Sequence, residues 1–469
     1  MSEAAIETKT APSRPAPADG GPDDARAART ESRAKKTQIV VVGGGAGGLE
    51  LAARLGKKLG RERFDVILLE KNPTHIWKPL LHEVAAGSLD ANLDEVGYRS
   101  HGYQNGYRFF LGALKDIDRE RRQAVVAPLL DENGLEIMGE HRIRYDYLVM
   151  AVGSVANDFG VKGVKEHCLF LDSRQEADRF RQKLLNQCLR VSRVMAAYAH
   201  ADEYVKVAIV GGGATGVELA AELYNAAGAL KHYGLEVFDE TRLKVTLLEA
   251  GPRILPALPE ELSDAAREEL EALGVDVRTG AQVEEATPYG MKIKGGEMVE
   301  GHLKVWAAGV KAPDFLKDIA GLETTRGNQL VVRDTLQTTR DERIFAIGDC
   351  AFFKPEGAER PAPPRAQAAH QMAETVYANI LAMIHGRSLK PFVYKDYGSL
   401  VSLSKFSTVG SLMGNLVGGR MAVEGRAARF MYVSLYRMHL LAIHGWLRGL
   451  FMIAVGHVNQ VVRPKLKLH

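Results

Sequence analysis

Gln38-Ile39-Val40-Val41-Val42-Gly43-Gly44-Gly45-Ala46-Gly47-Gly48 joins a short β-branched apolar run to a glycine-rich turn. That order predicts a strand, a tight turn and a helix. The device returns at Val207-Ala208-Ile209-Val210-Gly211-Gly212-Gly213-Ala214-Thr215-Gly216, and nine of the fourteen positions from Ile39 to Ala52 are identical in Val207 to Ala220. The chain thus carries two copies of one supersecondary unit. Nothing else repeats at a short fixed period, so a solenoid is excluded.

A GxGxxG loop suits a dinucleotide for three physical reasons. Its first glycine permits the turn, its second lets backbone approach the pyrophosphate, and its third allows close helix packing. The helix that follows offers free N–H groups to phosphate. Gly43, Gly45, Ala46, Gly47 and Gly48 are the binding positions of the first loop, and Gly211, Gly213, Ala214, Thr215 and Gly216 those of the second. A lone loop of this kind also occurs as a plain structural turn, but here the whole setting occurs twice.

Each loop is followed by a strand ending in an acid: Asp65-Val66-Ile67-Leu68-Leu69-Glu70, then Val245-Thr246-Leu247-Leu248-Glu249. A carboxylate there accepts from ribose hydroxyls and repels a 2′-phosphate, so Glu249 favours NADH over NADPH. Glu70 lies 22 residues past Gly48, near the spacing of about 20. Glu249 lies 33 past Gly216, which implies a longer helix or loop. The competing reading of both acids is a solvated strand end. Two dinucleotide folds in one chain pair most simply as FAD with a nicotinamide, because flavin accepts a hydride and passes electrons on. Helical spacing from about Ser263 to Leu273, then a strand from Val275 to Arg278, extends the second α/β unit.

The 469 residues suit several domains, and 46% hydrophobic with 25% charged residues excludes collagen-like, wholly disordered and polytopic membrane classes. A net charge of +3 gives no general reason to expect nucleic acid. Cys168, Cys188 and Cys350 form no CxxC pair, which fits a reducing compartment. Residues 1–36 have no apolar core and read as a disordered arm, and acids such as Glu3, Glu7, Asp19 and Asp23 argue against a transit peptide.

Further landmarks are Tyr145-Asp146-Tyr147-Leu148-Val149-Met150-Ala151-Val152-Gly153, Val305-Trp306-Ala307-Ala308-Gly309 and Ile344-Phe345-Ala346-Ile347-Gly348-Asp349-Cys350. Together they resemble the two-dinucleotide flavoprotein superfamily. Narrower motifs are His75-Ile76-Trp77-Lys78-Pro79-Leu80-Leu81-His82-Glu83-Val84-Ala85, Gly216-Val217-Glu218-Leu219 and Ala366-Gln367-Ala368-Ala369-His370-Gln371. With them the stretch from Thr37 to His469 is similar to the type II NADH:quinone oxidoreductases, non-proton-pumping respiratory dehydrogenases, in their bacterial membrane-bound form.

That resemblance implies an α/β fold of two Rossmann-like domains, the NADH domain inserted in the FAD domain. The FAD domain spans 37–170 and 306–385, the NADH domain 171–305, and a C-terminal membrane-association region 386–469. It places Ala151, Gly153, Ala308, Gly309, Gly348, Asp349 and Ala366 at the cofactors, with Asp349 on the ribityl chain, and Lys78 and Pro79 beside the flavin ring. It puts Glu218 and Gln367 by the flavin and quinone, with Gln371, the third candidate, one helical turn further. Glu50 occupies the place of Glu218 in the first repeat, where an acid early in a helix also gains from the macrodipole, so a structural role stays open. Gln367 and Gln371 share a helix face at a spacing that also suits ordinary pairing. His75 and His82 are interrupted by Pro79 and lack a third ligand, so no metal is assigned.

Between Gly425 and His469 every ionised side chain is Arg or Lys. On one helical wheel Arg437, His444 and Arg448 share a face, with Leu435, Ala442, Ile443, Trp446 and Leu450 opposite. Such a helix lies on an anionic lipid surface, Trp446 at headgroup depth. The uncharged run Gly449–Val462 is 14 residues, against the roughly 20 that a span needs. Docking on the protein's own core or on a second subunit is the competing reading.

The expectation is a peripheral flavoprotein on the cytoplasmic face of the cell membrane, taking a hydride from NADH onto FAD and reducing a membrane quinone of the ubiquinone class. A homodimer stays open. The alternative is a soluble NADH-dependent reductase with a protein acceptor such as a ferredoxin.

Overall fold

The structure is a computed structural model and describes residues 36–198, 202–230, 240–403, 407–414, 419–424 and 436–462. The N-terminal arm and Arg426, Arg429, Leu435, Arg463, Lys465 and Lys467 of the tail lie outside the described residues.

The chain opens with β1 (Thr37–Val42), α1 (Ala46–Leu59), β2 (Phe64–Glu70), α2 (Leu81–Ala86), β3 (Arg108–Leu111) and β4 (Tyr147–Met150). There follow α3 (Arg174–Ala197), β5 (Val205–Val210), α4 (Ala214–Leu230), β6 (Leu243–Leu248), α5 (Glu260–Leu273), β7 (Asp276–Arg278) and β8 (Leu303–Trp306). Then come β9 (Gln337–Thr338), β10 (Asp341–Ala346), α6 (Ala366–Ile384), β11 (Gly398–Leu403), β12 (Ser407–Gly414), β13 (Gly419–Glu424) and α7 (Trp446–Val462).

The first sheet has six strands in the order β9-β10-β4-β1-β2-β3, all parallel except the β9 edge. Its strands come from both sides of a second, parallel sheet, β7-β6-β5-β8, which is therefore inserted in the first unit. The β1 strand is near-continuously apolar because both sheet faces are covered, and Ile39, Val40 and Val41 are fully buried. The helix expected from Ser263 begins earlier, at Glu260, after Pro259 in extended backbone, and it ends on Gly274 in the left-handed region.

Two elements tie the units together. Helix α2 lies early in the chain, yet Leu81, Val84, Ala85 and Ala86 pack into the apolar core of the second sheet. Strand β11, first of the antiparallel β11-β12-β13 sheet, adds Val401 and Leu403 to that same core.

The tail departs from the single helical wheel. Residues 436–444 are helical, Gly445 turns left-handed at φ 84°, and α7 starts afresh at Trp446. The first piece belongs to the protein core: Leu440 and fully buried Ile443 join the cluster of the first sheet. Ile443 and Trp446 therefore do not share a face. Glycine at 445 is the physical reason, since a left-handed residue redirects the axis between them.

Candidate functional site

The two glycine loops have one geometry. Gly43 has φ 101°, and a Cβ on it would lie 2.3 Å from the Ala151 carbonyl oxygen. A Cβ on Gly48 would lie 2.0 Å from the carbonyl oxygen of Gly43. Gly45, between them, faces open space. The second loop repeats the set: Gly211 has φ 111°, Gly216 presses on the Gly211 carbonyl at 2.0 Å, and Gly213 is open. The outer glycines close strand onto helix, and the middle one leaves a bare backbone surface that a pyrophosphate can approach.

The strand-end acids are not merely solvated. The Gly44 N–H donates to Glu70 Oε2 at 2.8 Å, while the other oxygen, Oε1, accepts from Asn72 N at 3.0 Å. Glu249 does the same, accepting from Gly212 N at 2.6 Å and from Gly251 N at 2.7 Å. Each acid thus holds its own loop in shape and keeps lone pairs for ribose hydroxyls.

Around the first loop, several expected residues converge. The Ser154 hydroxyl donates to Asp349 Oδ2 at 2.6 Å, and Lys78 Nζ donates to the Ser154 carbonyl at 3.0 Å. Lys78 also pairs with Asp172 at 3.0 Å, so its charge is balanced within the protein. Gly153 and Gly348 both adopt positive φ, at 69° each, shaping the turns that carry this chain of contacts. Helix α6 closes the loop's other side: a Cβ on Gly47 would lie 2.8 Å from the Ala369 carbonyl oxygen. Around the second loop, a Cβ on Gly211 would lie 2.7 Å from Ala308 N, and Gly309 has φ 66°.

The matching acids Glu50 and Glu218 have different partners. Glu50 Oε1 accepts from Arg54 at 3.1 Å and Oε2 pairs with His370, which raises the His370 pKa chiefly through that hydrogen bond. It is a tie between α1 and α6. Glu218 Oε1 instead accepts from the Ser402 N–H of β11 at 3.1 Å, and Oε2 lies 3.6 Å from His82 Nδ1. The shared sequence position therefore does not give the two acids a shared role.

Gln367 Oε1 accepts from the Tyr394 hydroxyl at 2.8 Å. Gln371 is held twice by one residue, its Nε2 donating to the Lys395 carbonyl at 2.8 Å and its Oε1 accepting from Lys395 N at 2.9 Å. That pairing is a clamp between α6 and the strap before β11. It leaves Gln371 fewer free groups for a substrate than Gln367 has.

His75 and His82 part company at Pro79, which sits in a 3-10 turn, Lys78–Leu80. His75 Nδ1 meets the Gly44 carbonyl at 2.9 Å and its Nε2 meets His439 Nε2 at 3.0 Å. Burial lowers the His75 pKa to about 4 and that of His439 well below the usual value. The Trp77 and His439 rings meet at a tilt of 31° with centroids 4.0 Å apart. Sequence reasoning missed this junction of tail and loop. Its one signal was a cluster of histidines, His439 and His444, in an otherwise basic tail. Among the described residues no group of three or more His, Cys, Asp or Glu is placed to hold a metal.

All three cysteines are buried and unpaired. Burial pushes the Cys168 and Cys188 thiols up to about 12 and Cys350 to about 11. Cys350 packs against the Met150 and Ile347 carbonyls. Such thiols are inert at neutral pH.

Residues 37–373 match the family described as pyridine nucleotide-disulphide oxidoreductase. The chain belongs to this class of two-dinucleotide enzymes, although it keeps no thiol pair at CxxC spacing. The chain is 47% identical over 92% of its length to a type II NADH:quinone oxidoreductase of Haemophilus influenzae, covering 99% of that protein. It is 29% identical to the Staphylococcus aureus enzyme of the same name, over 82% of this chain and 92% of that one. Within the class, then, the chain belongs to the type II NADH:quinone oxidoreductases. Its fold matches NDH2 of Plasmodium falciparum, solved in complex with NADH, with a TM-score of 0.76 at 19% identity, over 92% of this chain and all of that one. A sulfide:quinone oxidoreductase of Aquifex aeolicus shares the fold with a TM-score of 0.67 at 17% identity, over 91% of this chain and 95% of that one.

Proposed function

We propose that the chain holds FAD on the loop Gly43–Gly48, binds NADH on the loop Gly211–Gly216, and reduces a membrane quinone of the ubiquinone class without moving protons across the membrane. The observation that carries this reading is the duplicated loop geometry, with Gly45 and Gly213 open and an acid pinned beside each. FAD, when bound, accepts a hydride and passes two electrons onward. The protein's part is geometric: Glu70 and Asp349 position the ribose and ribityl hydroxyls, and Lys78 fixes the Ser154 turn that orients Asp349. Glu249 sets the preference for NADH.

Glu218 serves the quinone side. Its carboxylate is nearly buried, at 8% side-chain exposure, in a setting where a proton can be held and delivered. Gln367 stands at the start of α6 and supplies polar contacts there, and Gln371 braces it through Lys395.

The membrane handle is α7. Trp446, Leu447 and Phe451 are 73%, 87% and 70% exposed, and Leu450, Val455 and Val458 continue the apolar surface. These positions recur at helical spacing, with exposed Arg448 beside them. Among the described residues no helix is long and apolar enough to cross a membrane. The exposed apolar face supports a helix lying in the interface, and the side proposed is the cytoplasmic one, where NADH is available. Both loops are complete within one chain, so the reading requires no second copy.

The test is turnover of the purified protein with NADH and a short-chain ubiquinone, with released flavin identified by chromatography. FAD and quinone-dependent NADH oxidation are expected. FMN, or activity with a ferredoxin and none with quinone, contradicts the reading.

A further inference from the structure

The hydride of NADH brings two electrons and one proton, whereas a quinone takes two electrons and two protons to become a quinol. One proton per turnover must therefore enter from solvent. Glu218 is nearly buried, so a carboxyl group that has given up its proton there needs a route by which to recover it.

His82 stands between Glu218 and the surface. It lies in the first turn of α2, whose Leu81, Val84, Ala85 and Ala86 are buried, and the imidazole itself is 4% exposed. Burying an imidazole among such neighbours costs stability that an apolar side chain would not. Its two nitrogens face two acids. Nδ1 lies 3.6 Å from Glu218 Oε2, and Nε2 lies 3.9 Å from Glu83 Oε1. Glu83 is the outer member, 27% exposed against 8% for Glu218. Both gaps are slightly longer than a hydrogen bond, a distance that a small ring rotation or one bridging water closes.

We propose that Glu83 and His82 form a proton relay to Glu218, through which the solvent-derived proton of quinol formation enters. The proposal rests on the reading of Glu218 as the quinone-side acid. Glu218 gives its proton to a quinone oxygen as an O–H bond forms, and the Nδ1–H of His82 restores it. In the same step Nε2 takes a proton from Glu83, which water reprotonates, and a ring flip resets the tautomer. One proton enters per quinol and no charge accumulates. Neutral imidazole suits this work because one nitrogen donates while the other accepts. Burial lowers the His82 pKa to about 4, keeping the ring neutral at pH 7. The groups facing it are Glu83 on its own helix, Glu218 and Glu222 on α4, and the Pro79 carbonyl. Glu222, itself buried, accepts from the Asn225 side-chain amide at 2.8 Å, and its charge acts on the His82 ring.

The test is the rate at which a short-chain ubiquinone reoxidises the NADH-reduced holoprotein, in H2O and in D2O. Glu83→Gln, on the surface, and His82→Ala should each slow reoxidation by about tenfold or more and enlarge the solvent isotope effect. Added imidazole should restore part of the rate to His82→Ala alone. Equal slowing of flavin reduction and reoxidation, or an unchanged isotope effect with Glu83→Gln, overturns the relay. Glu218→Gln separates the two ideas. If it leaves reoxidation unchanged, the role of Glu218 fails; if it slows reoxidation while Glu83→Gln and His82→Ala do not, the relay alone fails.

Discussion

Glu249 Oε2 accepts from the Gly212 N–H at 2.6 Å, so the acid proposed to select the nicotinamide cofactor also shapes the glycine loop before it. The first loop has the same bond, Gly44 to Glu70 at 2.8 Å. Each strand-end acid thus shapes its own glycine loop.

Glu249→Arg should lower the ratio of NADH to NADPH turnover by about tenfold or more, since a hydrogen bond to a charged group contributes about 1.5–3 kcal/mol. Glu249→Gln, which keeps an acceptor for Gly212, should change the ratio less. Steady-state kcat/KM for the two cofactors checks this, and an unchanged ratio in Glu249→Arg contradicts the assignment.

Glu218→Gln keeps an acceptor for the Ser402 N–H and removes the proton. Reoxidation by quinone should fall by about a hundredfold, the usual contribution of a general acid. Flavin reduction by NADH should fall far less. Equal losses in the two half-reactions would mark Glu218 as structural.

The tail prediction follows from where the helix breaks. Removing residues after Gly445 takes away the exposed face of α7 and spares Leu440 and Ile443, which sit in the core and contribute about 1.5–3 kcal/mol each. That truncated protein should stay folded and fail to sediment with anionic vesicles. Leu447→Glu with Phe451→Glu should do the same. Retention on vesicles by both contradicts the handle.

Acid stability tests the buried histidines. His75, His82 and His101 have pKa values lowered to about 4 by burial, against 6.5 when unfolded. Between those values the unfolded chain binds more protons, so stability falls as pH drops from about 6.5 to about 4. Urea unfolding between pH 7.5 and 5 should show this slope, and His75→Gln should flatten it. A slope identical in His75→Gln would rule out His75 as a source of the acid sensitivity.

The fold was legible where chemistry is local. Two glycine loops, the acids Glu70 and Glu249 and the strand before each loop are local patterns, and the structure builds both units on them. The long-range ties were not. His75 meets His439 across 364 residues, and no periodicity encodes that contact. Glu50 and Glu218 looked equivalent because a helix position fixes the backbone and leaves the partners open. The wheel that joined Ile443 to Trp446 assumed one axis, and Gly445 was the residue that argued otherwise.

The most direct test of electron transfer is anaerobic double-mixing stopped flow at the flavin absorbance, first with NADH and then with a short-chain ubiquinone. Fast bleaching followed by fast recovery within one turnover is the expected result. Fast bleaching with negligible recovery would leave the dinucleotide sites standing and contradict quinone as the acceptor.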